Sequence, residues 1–465
     1  MTTFDPALAD HLDVTREDRH ASYLEFLRIP SISALSERSG DVRRAAEWLA
    51  TEMTRLGLDH VEVCDTRGHP VVYADWLHAA GAPTILVYGH YDVQPVDPID
   101  LWETAPFDPF IRDGRVIGRG AADDKGQVHM HLRAIEALMA TRGRLPLNLR
   151  FVFEGEEETT SASLASWIEA NRTRLQADVV VISDTGFFEG NIPAITETLR
   201  GMLYAQIDIV GSPVDLHSGG FGGAVENPAN ALARIIAELK DRDGVVQVPG
   251  FYDDVRPLDE GARARLAALP FDDETFRRAT GVAALAGERG YTVTERRGAR
   301  PTLDVNGIWG GFEGEGSKTI IPAHAHAKVS MRLVADQDPD KLFASFIAFV
   351  QRVAPPGVTV SVRHLGAGLP SATPIDHPVV RAAATALEAT FGRAPVYVRA
   401  GGSIPVAAMF ARQLALTVVL MGFANPDDNA HAPNESMVLD NYETGIRTIC
   451  LLWDMLGAGS VIATG

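Results

Sequence analysis

The chain has almost no cysteine: two in 465 residues, Cys64 and Cys450, neither in a short redox or metal-binding spacing. That excludes a disulfide framework and disfavours a thiolate zinc knuckle. It also lacks any apolar run of about 18 residues, the length a membrane-spanning helix needs. Its opening, MTTFDPALADHLDVTRED, has no basic stretch followed by an apolar core, so no secretory leader is read there. These absences predict a cytoplasmic, uncleaved chain with no membrane partner. Positive charge is scarce, with 42 Lys and Arg against 61 Asp and Glu and a net charge of -19. That balance disfavours nucleic acid and anionic membrane surfaces as partners. There is no internal repeat and no low-complexity tract. What the chain does have is core material, 46% hydrophobic residues, which makes it globular.

Apolar periodicity divides the chain into two styles. Val42, Ala46, Leu49, Met53 and Leu56 recur at three- and four-residue intervals and predict an amphipathic helix over 40–58. Strand-length apolar runs follow at 71–73, 84–88, 149–153 and 179–183, interleaved with helical patterns at 125–139 and 163–170. Late in the chain the alternation returns, with helices at 377–391 and 441–455 around a strand at 416–421. Short, nearly all-apolar strands between helices predict an α/β domain whose mainly parallel sheet has helices on both faces. The middle reads as α+β: alternating strands at 203–210 and 326–334, a helix at 229–239, and a polar stretch from 251 to 300. The chain is therefore expected to form two domains, a discontinuous α/β domain of residues 1–200 and 373–465 and an inserted α+β domain of residues 201–372.

Acidic and histidine side chains stand where the strand-like runs end. His90 and Asp92 follow the run at 84–88, Glu154, Glu156, Glu157 and Glu158 follow 149–153, and Asp184 follows 179–183. Ligands collect at the carboxyl ends of strands in open α/β sheets, so these groups can converge. Imidazole with carboxylate suits zinc, manganese or cobalt, and crowded carboxylates repel one another unless a cation neutralises them. Singly, a His-x-Asp or an acidic run is more often structural or solvated; the conjunction behind buried-type strands favours a metal site.

The segments GHYDVQP (89–95), GRGAADDKG (118–126), EGEEE (154–158), SDTG (183–186), DLHSGGFGG (215–223), SKTIIP (317–322), MRLV (331–334), GGSIPV (401–406) and HAPNE (431–435) resemble the signature segments of the co-catalytic, dinuclear zinc metallopeptidases. That superfamily includes carnosinase-like dipeptidases, glutamate carboxypeptidases, aminoacylases and succinyl-diaminopimelate desuccinylase, and the likeness is greatest to the cytosolic non-specific dipeptidase branch. The resemblance implies that Asp123 bridges two divalent ions, zinc with manganese or cobalt as alternatives. His90 and Asp184 would complete one site, Glu158 and His431 the other. Asp92 would orient His90, and the Asp123–Asp124 peptide bond would be cis. Glu157 would act as the base that takes a proton from a water activated by the two metals and delivers it to the leaving amine.

The resemblance also makes the inserted domain a lid and homodimerisation domain. His217 would bind the developing oxyanion, in the family often from the second subunit, while Thr319, Arg332 and Ser403 would contact substrate. A guanidinium such as Arg332 can hold a free carboxylate bidentately. His129 and His131 flank Met130 on a helical pattern and are read as non-ligands, and no role is assigned to His324 and His326. GGFGG lacks the Lys-Ser/Thr of a phosphate loop. Thr159 and Thr160 depart from the Ser-Gly common after the paired glutamates. The expected function is hydrolysis of a dipeptide or related substrate carrying a free carboxylate. The alternatives are an N-acyl-amino-acid deacylase and a non-catalytic binding protein of the same fold.

Overall fold

The computed structural model describes residues 4–402 and 404–458 and divides into two compact units. The larger comprises Met1–Glu197, Thr373–Val398 and Val406–Gly465, the smaller Thr198–Ala372 with Arg399–Pro405. Arg399–Pro405, assigned by the sequence reading to the larger unit, thus groups with the smaller one, and the first crossing comes three residues earlier than expected. Among the described residues, no helix is long and apolar enough to cross a membrane.

The larger unit is built on a mixed sheet with a parallel centre. Strand Thr84–His90 runs parallel to both Asn148–Glu154 and Val179–Ile182, and Thr417–Leu420 continues the parallel set beside Val179–Ile182. Val71–Trp76 and Asp59–Cys64 extend the other side antiparallel. The central strands are apolar on both faces because both are covered: all four residues of Val179–Ile182 are buried. Helix Lys125–Arg142 is buried almost all round, so it carries no polar stripe, and it stops at Gly143 in the left-handed conformation. Its neighbours include Leu439–Gly457 and Arg16–Leu27. One core joins these elements, from Leu8 and Phe26 through Val87 and Phe151 to Trp453.

The smaller unit has its own core. Four antiparallel strands lie in the order Thr302–Trp309, His324–Leu333, Gly201–Val210 and Thr359–Gly368. Alternate residues of His324–Leu333 are buried, the period of a sheet with one covered face. Leu232 and Ile235 of helix Pro228–Leu239 and Phe346 and Phe349 of Pro339–Val353 pack on it. The polar stretch from 251 to 300 is not structureless. It contains helices Glu260–Ala267, Asp273–Thr280 and Val293–Gly298, each capped by a side chain of the preceding residue.

Candidate metal centre

The register of the parallel strands brings the polar groups together. His90 stands opposite Glu154 and Tyr88 opposite Ile182, so three strands end at one level. The chain then leaves each strand carrying its acidic residues: Asp92 after the first, Glu157 and Glu158 on the short helical turn Glu157–Thr159, and Asp184 two residues past Ile182. Asp123 lies just before helix Lys125–Arg142, beyond a cis Asp123–Asp124 bond.

Two donor groups result. His90, Glu157 and Asp184 form one and Asp123, Glu158 and His431 the other, the candidate ligand atoms of each lying within 4.8 Å of one another. Asp123 links them: its Oδ1 is 3.0 Å from His90 Nε2 and its Oδ2 2.8 Å from His431 Nε2. His431 Nε2 is also 3.3 Å from Glu158 Oε2, and His90 Nε2 is 3.8 Å from Asp184 Oδ1. The sequence reading kept Glu157 apart from the ligands, whereas its carboxylate is close enough to share the first group.

Asp92 is fully buried and does more than face His90. Its backbone oxygen is 3.1 Å and its Oδ1 3.4 Å from His90 Nδ1. Its carboxylate also accepts the amides of Glu157, at 3.2 Å, and Glu158, at 3.1 Å. One side chain therefore holds both glutamates. Two further contributors went unread, Gln94, which donates to Glu158 Oε2 at 2.7 Å, and Asp124, whose Oδ2 accepts the His90 amide at 3.2 Å; Glu154, read only as part of the acidic run, accepts from Tyr88 and Ser161. Gln94 and Asp124 lie inside recognisable segments, so membership of those segments was the available signal.

The electrostatics are those of a centre short of positive charge. Burial pushes the Glu157 carboxyl up to about 9, with Asp184, Glu158 and Asp92 adding to it against His90. Burial likewise lifts Asp184 to about 6. Hydrogen bonding to Asp123 and Glu158 raises His431 to about 10. Burial opposes the charged form of Asp123, but hydrogen bonds from His431 and His90 outweigh it and hold that carboxyl well below its ordinary range. A divalent cation reverses this pattern, because it favours carboxylate and neutral imidazole together. Glu158 Oε1 fits one directly: it is buried and has no hydrogen-bond partner. The donor set is nitrogen and oxygen only, suited to zinc, manganese or cobalt.

In the smaller unit, the two-residue strands Leu216–His217 and Ile320–Ile321 pair, and Ser218 donates to the Thr319 carbonyl at 3.0 Å. His217 and Thr319 are thus neighbours. The Nδ1 of exposed His217 accepts the Gly219 amide at 3.0 Å. Arg332 lies on the separate four-stranded sheet, opposite Met202 and Thr302, and Ser403 lies outside the described residues. His326 is engaged by Asp208 at 2.6 Å and stacks on Trp309. His129 is buried against Tyr23 and Tyr442, and His131 reaches Ser183 at 2.8 Å.

Comparison with known proteins gives a consistent picture. A family model described as Peptidase family M20/M25/M40 matches residues 86–454. The chain is 33% identical over 453 residues to a Cys-Gly metallodipeptidase of Schizosaccharomyces pombe, covering 94% of each. It is 33% identical to the Beta-Ala-His dipeptidase of Homo sapiens, over 81% of this chain and 76% of that one. Among solved structures, an M20 family metallo-carboxypeptidase from Sulfolobus solfataricus matches with a TM-score of 0.83 and 34% identity, covering 95% of this chain and 99% of that one.

Proposed function

The chain belongs to peptidase family M20/M25/M40, and from that premise we propose that it hydrolyses dipeptides with a free carboxylate at a centre holding two ions, zinc in the first instance. It is a metal-dependent peptidase, and its family implies divalent metal use. The observation that carries the proposal is the pair of interlocked donor groups, His90, Glu157 and Asp184 with Asp123, Glu158 and His431. In the proposed assignment His90 and Asp184 would hold one ion and Glu158 and His431 the other, with Asp123 available to both. When bound, the ions would polarise the scissile carbonyl and acidify the attacking water.

The chain's own residues do the rest. Glu157 takes a proton from the attacking water and hands it to the leaving amide nitrogen. Cations in both donor groups oppose the burial that otherwise keeps this carboxyl protonated. Asp92 fixes Glu157 by gripping its amide. His217, whose Nδ1 is occupied as an acceptor, keeps its proton on Nε2 when neutral and offers it to the developing oxyanion. Arg332 grips the substrate carboxylate, with Thr319 and Ser403 as further contacts.

The smaller unit is proposed as a lid through which two copies associate. Exposed Ile308, Trp309 and Phe312 support that reading, since apolar patches commonly mark interfaces. We also propose a cytoplasmic location, for which fractionation is the test. Dipeptidase relatives do not favour the deacylase alternative, and a non-catalytic role does not fit the enzymes this chain resembles. The decisive experiment is metal analysis followed by a panel containing Cys-Gly, β-Ala-His and N-acetyl amino acids, with Glu157→Ala alongside. Hydrolysis of the acetylated compounds alone rejects the substrate assignment. Turnover that survives both chelation and Glu157→Ala rejects the mechanism.

A further inference from the structure

Glu435 closes the HAPNE segment, contributes no ligand to either donor group, and is completely buried. A buried carboxylate persists only where donors surround it. Here four do, all from the five-residue stretch that ends in Asp123. Glu435 Oε2 accepts Arg119 Nη1 at 2.7 Å and the Gly120 amide at 2.9 Å; Oε1 accepts the amides of Ala122 at 2.9 Å and Asp123 at 3.0 Å. Its backbone oxygen takes the Gly118 amide at 2.9 Å as well. Such a wrapped loop needs a left-handed turn, and Gly120 supplies it at φ 85°.

The same residue stands four positions after His431, so it fixes one strand of chain bearing a histidine donor against another bearing Asp123. Buried Arg119 extends the device: its Nη2 donates to the Pro95 carbonyl at 3.0 Å, next to Gln94, whose amide holds Glu158 Oε2. Glu435 and Arg119 therefore touch the supports of all three members of the second donor group, Asp123, Glu158 and His431. Among the described residues, neither makes a direct hydrogen bond to His90, Glu157 or Asp184.

We propose that Glu435, with Arg119, is the positioning residue that presets the Asp123, Glu158 and His431 site, so that its loss weakens that site more than the one held by His90 and Asp184. The inference rests on the two-ion reading above. Partners that orient metal ligands commonly contribute 10–100-fold in metal affinity. The test is the number of zinc ions bound per chain, and their affinities, by competition with a chromogenic chelator, alongside the melting temperature of the metal-free protein. Wild type should bind two. Glu435→Gln should retain one ion with near wild-type affinity and bind the second at least about tenfold more weakly. Adding His431→Ala to that variant should remove the weakened second ion and leave the first, whereas adding Asp184→Asn should abolish the first. Should Glu435→Gln fail to fold, Arg119→Lys, which keeps the charge but not the forked reach, should show the same selective weakening. Two ions bound at wild-type affinity in the variants, or both ions lost in step, overturns the positioning role. Fewer than two in wild type overturns the two-ion reading instead.

Discussion

Glu154 ends strand Asn148–Glu154 and Glu157 opens the turn three residues later, yet their environments assign them different chemistry. Glu157 has carboxylate and imidazole neighbours that cations would rebalance, so Glu157→Gln should leave zinc content unchanged and lower kcat by about 10²–10⁴-fold, the usual contribution of a positioned general base. Steady-state kinetics with metal analysis on one preparation checks it; a kcat within a factor of about three of wild type rejects the assignment. Glu154 is buried, with one oxygen unpaired, and burial pushes its carboxyl from an ordinary 4.5 up to about 8. The folded chain then keeps a proton that the unfolded chain releases, so this group's stability contribution is full below about 4.5 and is lost as pH rises toward about 8. Glu154→Gln keeps an acceptor for Tyr88 and Ser161 without the charge. In metal-free protein its stability relative to wild type should therefore improve by on the order of 3 kcal/mol between pH 5 and pH 8.5, read from denaturant melts at both. Parallel pH profiles would reject the shift. At this scale, His90 and Asp184 were legible because they stand where buried strands end, and Asp123 because GRGAADDKG resembles a family segment. Gln94, Asp124 and Glu435 were not, because a side chain that props a ligand or serves backbone amides leaves no spacing rule in the sequence.

At the scale of elements, what was legible follows burial. Val179–Ile182 and Thr84–His90 announced themselves because both faces are covered and every turn of the chain demands an apolar residue. Strand Asp59–Cys64 stayed hidden: it is an edge strand with half-exposed positions and an irregular register between Asp59 and Glu62. The N-terminal helices Pro6–Val14 and Arg16–Leu27 were missed because Thr15 breaks them and their buried faces are narrow. The turn Glu157–Thr159 shows a cost that the sequence did signal. Thr160 has φ 81° and Ser161 φ 52°, conformations that glycine tolerates and β-branched residues resist. Thr160→Gly should relieve that strain by about 1 kcal/mol net of its added chain entropy, raising the melting temperature by about 1–2 °C. Calorimetry of the pair checks the sign; a lower melting temperature rejects the strain.

For the whole molecule, the two-unit division makes metal removal a local event. Every candidate donor belongs to the larger unit, whose core runs from Leu8 to Leu456, while the smaller unit builds a separate core around Leu203, Leu232, Ile235 and Phe346. Ions that bind only the folded larger unit stabilise it by mass action, about 4 kcal/mol when free metal stands at 1,000 times the dissociation constant. Stripping them also leaves several buried carboxylates without a counter-charge. Chelation should therefore abolish peptidase activity and lower the melting of the larger unit by several degrees, while amides of the smaller unit's sheet, Gly201–Val210 and His324–Leu333, keep their exchange protection. Zinc should restore both activity and melting. Hydrogen exchange resolved by segment, with and without chelator, separates the outcomes: equal loss of protection in the two sheets would mean that the units unfold as one body and that the metal centre stabilises the entire chain.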